Sequence, residues 1–446
     1  MTDIHDQSTP IGEGAVLRWG TNADAHGYAA LAAHAFVIGP DAHPNPNVAS
    51  YAHDLMGNTH PLCKSSDIAL VSRHDTIVAA AALMTQPMRY GGVALPVGRP
   101  ELVCSHQSVR QQGYVRAIME RMHAKSAARG DLLQVITGIP HYYHQFGYAW
   151  SIDYNGYARI ETAALPELDA AHPHVTIRPF ARHEYSVFNE LYEDELASRG
   201  LVVTTPYPEA LFVHGIETTV STEGFRPCGI YDEHNQIIGF CILTVRIWEG
   251  FSAVMALGFT KYARALTHLV PTLHAIHAIN QSLPKPVASH RDYFAIDILT
   301  DGAHPITSTL TVLGIASKTI APYTWYVRIP DVPRLLMHVR NVLEVRLAAS
   351  GLSGYTGVIE ITFYRHGIRM DWRNGVLTSV TTRTAAVYGD APHAGYPLAA
   401  FTQQFCGWRS FSELRSWYPD VWATPATRVL LDILFPKSAS QLLWMN

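Results

Sequence analysis

The sequence predicts an α/β (α+β) chain: two successive copies of one strand–helix unit, followed by a small α+β domain. Three observations predict it. Residues 101–148, ELVCSHQSVRQQGYVRAIMERMHAKSAARGDLLQVITGIPHYYHQFGY, read as strand, polar loop, amphipathic helix and second strand. Around Ala170–His174 the chain starts again with the same order of strands and helices. From about Tyr323 the texture changes to a one-faced helix and three short strands, the last two joined by Asn374-Gly375, a two-residue hairpin signal. The 446 residues also suit about three units at ~150 residues each.

Composition narrows the class. Hydrophobic residues make up 48% of the chain, enough for several buried cores. A net charge of −4 gives no basic footprint for nucleic acid. No run of 18 apolar residues exists and Met1–Gly14 is polar, so neither a membrane span nor a signal peptide is expected. The five cysteines (Cys63, Cys104, Cys228, Cys241, Cys406) are odd in number and widely spaced in apolar settings. They read as reduced core residues of a cytoplasmic protein. Self-association into a homo-oligomer is compatible with all of this.

Residues 1–14 read as a disordered lead and residues 15–165 as the first unit. Val16–Trp19 is a strand, Ala23–Phe36 a helix, and Asp41–Asn47 (DAHPNPN) a loop dense in turn formers. Strands follow at Asp67–Arg73, Thr76–Thr85 and residues 93–104. The next helix begins between Ser108 and Gly113 and runs to Ala128. It sets Val115, Ile118, Met119 and Met122 on one face, and Gly130 ends it. Leu132–Ile136 is a strand, and Gly147–Ile160 supplies the closing strands.

Residues 172–320 form the second unit. Val175–Phe180, Gly229–Asp232, Gln236–Val245 and Ser252–Gly258 are strands; Glu184–Ser198 and Lys261–Ser282 are helices. Residues 323–446 form the third, with a helix over Val332–Ser350 and strands at Val358–Tyr364, Ile368–Trp372 and Val376–Val380. Helical stretches follow at Pro397–Phe405 and Phe411–Ser416, and the chain closes with Arg428–Phe435 and the apolar tail Leu442-Leu443-Trp444-Met445.

The first unit's loop carries chemistry. A strand that delivers a glycine-bearing loop onto a helix N-terminus makes an anion site, because orphan N–H groups and the helix dipole face outward there. Gly113 allows close approach of a phosphate, and Arg110 offers a planar fork. GxxxxGK[ST] is absent, so this is not a P-loop, and one glycine does not make GxGxxG. What remains is R-x-x-G-x-[small], here Arg110-Gln111-Gln112-Gly113-Tyr114-Val115.

In that order of elements, with Phe146-Gly147-Tyr148 after it, the block resembles the GNAT superfamily of acetyl-CoA-dependent N-acetyltransferases. The fold class is then two tandem GNAT folds followed by a small α+β domain. The whole chain resembles the Eis-type family, whose order is an active GNAT domain, a degenerate GNAT domain and a sterol-carrier-protein-like domain. The family pattern is roughly V-x-P-x-x-R-R-R-G-L-x-R-A, then Y-x-R-F-G-Y. This chain reads VCSHQSVRQQGYVRA and Tyr143-His144-Gln145-Phe146-Gly147-Tyr148. Gln107 stands where proline is usual, Gln111 and Gln112 replace basic residues, and Val115 replaces a small one.

The resemblance implies an acetyl-CoA-dependent N-acetyltransferase acting by direct attack on a primary amine of a small molecule, with no metal. It implies that Arg110, Gln111, Gln112, Gly113, Tyr114, Val115 and Arg116 hold the pyrophosphate. Backbone N–H groups of Val103, Cys104 and Ser105 would polarise the thioester. Tyr143 would protonate the leaving thiolate, since a phenol near pKa ~10 suits that transfer; packing among its aromatic neighbours is the alternative. Two groups compete as base. One is the carboxylate of Asn446, which the family delivers to the first domain's site and which a docking apolar tail supports. The other is Glu101 on the strand before the loop, whose plainer role is pairing with Arg99.

In the second unit the loop reads Leu257-Gly258-Phe259-Thr260-Lys261-Tyr262-Ala263-Arg264, without RxxG, so no cofactor is expected there. Among the 24 histidines, His268, His274, His277 and His290 show no recognised metal spacing, while His141 and His144 flank Tyr143. Two further readings remain: a GNAT fold that serves as a scaffold or binding protein without acetyl transfer, and a lipid-binding protein acting through its third domain.

Overall fold

The computed structural model describes residues 8–37, 43–154, 156–217, 224–247, 249–283, 292–300, 304–384 and 392–444. An eight-stranded mixed sheet organises the first domain. Its order is Thr9–Pro10, Ala15–Trp19, Ile68–Arg73, Thr76–Thr85, Val97–Ser105, Leu133–Ile136, Tyr323–Arg328 and Ala149–Tyr154. The alternation of Thr76–Thr85 shows why this sheet is covered on both faces. Ala79, Ala81 and Leu83 pack toward the helix Tyr114–Arg129, meeting Ile118, Met119 and Met122. Ala80, Ala82 and Met84 pack toward the helices Ala25–Ala35 and Pro46–Met56, meeting Leu31, Tyr51 and Leu55. A strand period of two thus divides one alanine-rich run between two cores.

The second domain is built on a seven-stranded sheet in the order Thr176–Pro179, Phe225–Tyr231, Ile237–Thr244, Phe251–Phe259, Ala295–Leu299, Tyr157–Glu161 and Lys318–Ile320. Its parallel pair Phe251–Phe259 and Ala295–Leu299 is joined through the helix Tyr262–Gln281. The first domain joins Val97–Ser105 to Leu133–Ile136 through Tyr114–Arg129 in the same way. The third domain curls a five-stranded sheet around Leu335, Leu343, Phe401 and Phe405. Its hairpin turns at Asn374 (φ 47°) and Gly375 (φ 79°), the positive-φ pair that this two-residue turn requires.

Several expectations are corrected. The lead is not disordered throughout: Thr9–Pro10 pairs with Val16–Leu17, while residues 1–7 lie outside the described residues. The boundaries 15–165 and 323–446 do not follow the sheets. Tyr157–Glu161 pairs with Ala295–Leu299 and Lys318–Ile320 in the second sheet. In return Tyr323–Arg328 enters the first sheet between Leu133–Ile136 and Ala149–Tyr154. Chain order alone cannot show such an exchange, because a strand's own sequence does not name the sheet edge it joins. The Val332–Ser350 helix is broken at Val339 into Val332–His338 and Arg340–Ala348. A four-stranded ribbon, Ser440–Gln441, Val203–Thr204, Met88–Tyr90 and Val93–Leu95, joins strands from all three domains.

Candidate active site

The main cleft of the first domain follows from how two strands part. Val97–Ser105 and Leu133–Ile136 are paired at Val97–Leu133 and Gly98–Gln134, and the ladder ends there. Beyond that point alternate backbone groups of Glu101–Ser105 face the opening. On the other edge, register against Thr76–Thr85 slips between Ala80–Cys104 and Ala82–Glu101, a one-residue bulge. Leu102 sits in it at φ 45°, costly for a branched side chain, and its N–H donates to Glu101 Oε1 at 3.2 Å. The bulge re-aims Val103, Cys104 and Ser105 at the cleft.

After a short turn at Gln107–Val109, the helix starts at Tyr114 rather than near Ser108. Gly113 caps it at φ 80° and Gln111 holds φ 67°. A Cβ on Gly113 would meet nothing within 4 Å, so the backbone there faces open space. The first N–H groups of any α-helix lack intrahelical acceptors, and here they point into this space. Arg110 is exposed and has no ion-pair partner among the described residues. Arg116 closes the far wall: its Nη2 donates to Gln145 Oε1 at 2.8 Å and its guanidinium lies 5.2 Å from the Phe146 ring centre.

The resulting cleft holds about 680 Å³. It brings together Val103, Cys104, Ser105, Arg110, Gln111, Gly113, Tyr114, Val115 and Arg116 with Tyr142 and Tyr143. Gln112 is exposed on the same loop but does not line the cleft.

A second pocket of about 420 Å³ shares Phe36, Val103, Ile139 and Tyr143 with the first. Tyr143 lies on the short turn Tyr142–Phe146, entered at His141 (φ 63°) and left at Gly147 (φ 84°). Its ring is 4% exposed and meets Tyr326 at 5.5 Å and Tyr142 at 5.2 Å, both edge-on. Tyr326 reaches from the exchanged strand and donates to Ile139 O at 3.2 Å, bracing the turn. Burial pushes the Tyr143 phenol far above its ordinary value and the Glu101 charge adds to the rise, so the hydroxyl keeps its proton.

Glu101 lines the second pocket. It also makes the structural pairing: Arg99 Nε lies 3.2 Å from Glu101 Oε2, and Arg99 is wholly buried. Trp444 Nε1 donates to the same oxygen at 3.4 Å. The tail reaches this point along firm anchors. Leu442 O accepts from Trp325 Nε1 at 3.1 Å, Leu443 N–H donates to Thr205 Oγ1 at 2.7 Å, and Leu443 O accepts from Gln86 Nε2 at 3.2 Å. Asn446 lies outside the described residues, and its expected role as base has no position here.

The sequence reading missed the helix Pro46–Met56, which gives Val48 and Tyr51 to the second pocket. Its signal was present in the run read as loop: Asn45 caps the helix by accepting from Asn47 N and Val48 N, and Pro46 takes the first helical position. It also missed a buried trio between the first two domains, Asp54, His60 and His214, whose ligand atoms all lie within 4.8 Å of one another. Its bonding is that of an interdomain contact. His214 Nε2 bonds Asp54 Oδ2 at 3.1 Å, Thr59 donates to Asp54 Oδ1 at 3.0 Å, and His60 Nδ1 accepts from Leu62 N–H at 3.2 Å. Burial alone would raise Asp54, but the hydrogen bond and charge of His214 outweigh it and hold the carboxyl below its ordinary value.

In the second domain the matching cleft, about 430 Å³, is lined by Glu190, Asp194 and Glu195 beside Lys261. Three carboxylates there oppose a pyrophosphate. The helix behind it has the extended Lys261 as cap, without a positive-φ glycine.

Comparison with known proteins agrees with this geometry. Residues 17–151 match a family model described as an acetyltransferase (GNAT) domain. A GCN5-related N-acetyltransferase from Anabaena variabilis shares the fold over 96% of this chain and 100% of its own, with TM-score 0.66 at 13% identity. One from Kribbella flavida covers 96% and 98%, with TM-score 0.63 at 16% identity. Eis1 from Mycobacterium abscessus covers 97% and 99%, with TM-score 0.57 at 14% identity. No curated protein matches the sequence.

Residues 17–151 thus match a GNAT acetyltransferase domain and the chain shares that fold, whose family binds acyl-CoA. The chain as a whole has the multi-domain layout of Eis. No described helix is long and apolar enough to cross a membrane.

Proposed function

We propose that the first domain transfers the acetyl group of acetyl-CoA to a primary amine of a small molecule within a ternary complex. One observation carries the reading. The cleft over the Gly113 helix end and the pocket of Glu101 meet at a shared wall, on which Val103 and Tyr143 both stand. Thioester and amine entering from opposite sides would therefore meet beside the bulge. The amine nitrogen bonds the acetyl carbon, backbone N–H groups of Val103–Ser105 hold the oxyanion, and the carbon–sulfur bond breaks. Tyr143 gives its proton to the thiolate, and Glu101 accepts one from the amine, directly or through water.

The five cysteines are free and buried, which suits a cytoplasmic setting for this chemistry. The interior of the third domain is filled by Trp372, Tyr396, Phe401 and Phe435, which favours a structural role for it over lipid carriage.

The test is thiol release from acetyl-CoA across a panel of amines, run beside thermal shift with coenzyme A and acetyl-CoA. Stabilisation together with amine-dependent thiol release is the expected result. Stabilisation without thiol release from any amine favours the scaffold reading, which the uncharged Gln111 and Gln112 of the loop motivate. No stabilisation overturns coenzyme binding itself.

A further inference from the structure

We propose that the acceptor is an apolar primary monoamine, with an aromatic or branched aliphatic body, and not a polycation. The inference rests on the acetyl-transfer reading above and concerns the pocket beside Glu101. Its walls are mostly aromatic and aliphatic: Phe36, Val48, Tyr51, Ile136, Tyr154 and Trp444 surround the shared residues, with Asn45 and Thr137 as the uncharged polar side chains. Glu101 is the one carboxylate on them among the described residues. Its charge is already met by Arg99 at 3.2 Å and by the Trp444 N–H at 3.4 Å.

A pocket so neutralised offers little to an ammonium group beyond the one that must lose its proton to react. Each further ammonium of a polyamine or aminosugar would give up hydration for the uncharged Asn45 and Thr137 at most. An apolar body gains from the same walls. The volume of about 420 Å³ lies in the range of small-ligand sites and admits a ring or short branched chain.

The experiment compares kcat/KM, with acetyl-CoA saturating, for propylamine through hexylamine, 2-phenylethylamine, spermidine and kanamycin. A gain of about fourfold per added methylene is expected until the pocket is full, from roughly 0.8 kcal/mol per buried methylene. 2-Phenylethylamine is expected to exceed both polycations by about 100-fold or more. The variant Val48→Asp, which adds an unpaired carboxylate to the wall, should move the ratio toward spermidine by about tenfold. Val37→Asp, at a position 44% exposed on the rim, repeats the test should the first variant fail to fold. Spermidine or kanamycin equalling the monoamines would overturn this inference and leave acetyl transfer standing. Absence of thiol release with every amine would overturn the acetyl-transfer reading and this inference with it.

Discussion

Replacing Tyr143 with phenylalanine separates a catalytic hydroxyl from a packing ring. The ring is 4% exposed and held edge-on by Tyr142, Tyr148 and Tyr326, contacts that phenylalanine keeps. A Cβ added at Gly138 would lie 3.8 Å from the hydroxyl oxygen. No side-chain hydrogen bond ties that oxygen among the described residues, so removing it strands no buried partner. The cost in stability should stay below about 1 kcal/mol, a shift in Tm of a few degrees at most. Turnover should fall much further. General acids contribute ~10²–10⁴-fold, or about 3–5 kcal/mol at 1.36 kcal/mol per decade.

The assay is steady-state thiol release with acetyl-CoA and a reactive amine, together with coenzyme affinity by calorimetry. kcat and kcat/KM should drop together while affinity holds, the mark of an interaction made only in the transition state. The pH profile adds a sign. An acid must be protonated to work, and burial raises this phenol above its ordinary value near 10. Tyr143 therefore imposes no fall in rate up to about pH 10, and the wild-type profile should show none of its making. A phenylalanine variant within threefold of wild-type turnover refutes the assignment and leaves Tyr143 as packing.

Three other outcomes are expected. Arg110→Ala with Gly113→Asp should abolish acetyl-CoA binding by calorimetry, since the aspartate adds charge and strain at φ 80°; unchanged affinity, or two sites per chain, contradicts a single site in the first domain. Glu101→Gln should lower kcat about 100-fold with every amine and, by taking the carboxylate from the wholly buried Arg99 charge, cost about 3–5 kcal/mol in denaturant melts. Turnover that survives in a folded variant moves the base elsewhere, and deletion of residues 444–446 then tests the tail. Burial pushes His60 down to about 3, so below pH ~6.5 the unfolded chain binds a proton that the folded one refuses. Stability should fall by roughly 2 kcal/mol between pH 7 and 5 on its account, and His60→Gln should flatten that slope in urea melts.

The cleft proposed for the coenzyme was legible because its signals are local. A glycine at a helix start, an arginine three residues before it and the flanking strands all lie in one stretch of chain, and the cleft is built from that stretch. The pocket proposed for the acceptor was not legible, because its walls come from far apart: Val48 and Tyr51 from a helix hidden behind Asn45-Pro46, and Trp444 from the tail. The tail was suspected from its apolar composition, yet its partners, Gln86, Thr205 and Trp325, carry no sequence mark. The sequence offers Glu101 as either a base or the partner of Arg99. The side chain both lines the pocket and makes the pair, so a single role was never demanded by the geometry.

The strand exchange makes the first domain depend on chain that follows the second. Tyr323–Arg328 bonds Leu133–Ile136 on one side and Ala149–Tyr154 on the other, and buries Trp325, Tyr326 and Val327 completely. A fragment of residues 8–165 would lack that strand. It would expose two sheet edges and lose the Tyr326 brace on the turn that carries Tyr143. It would also carry Tyr157–Glu161 without its partners from the second sheet. Burial of three large side chains at ~1.5–3 kcal/mol each is comparable with the whole stability of a domain, ~5–15 kcal/mol. The fragment should therefore be associated or unfolded by size-exclusion chromatography and circular dichroism, and should not bind acetyl-CoA. A monomeric fragment with a cooperative melt and native affinity would show that the exchanged strand only decorates a domain already complete. If the fragment fails as expected, the coenzyme loop, though contiguous in sequence, works only when the whole chain has folded around it.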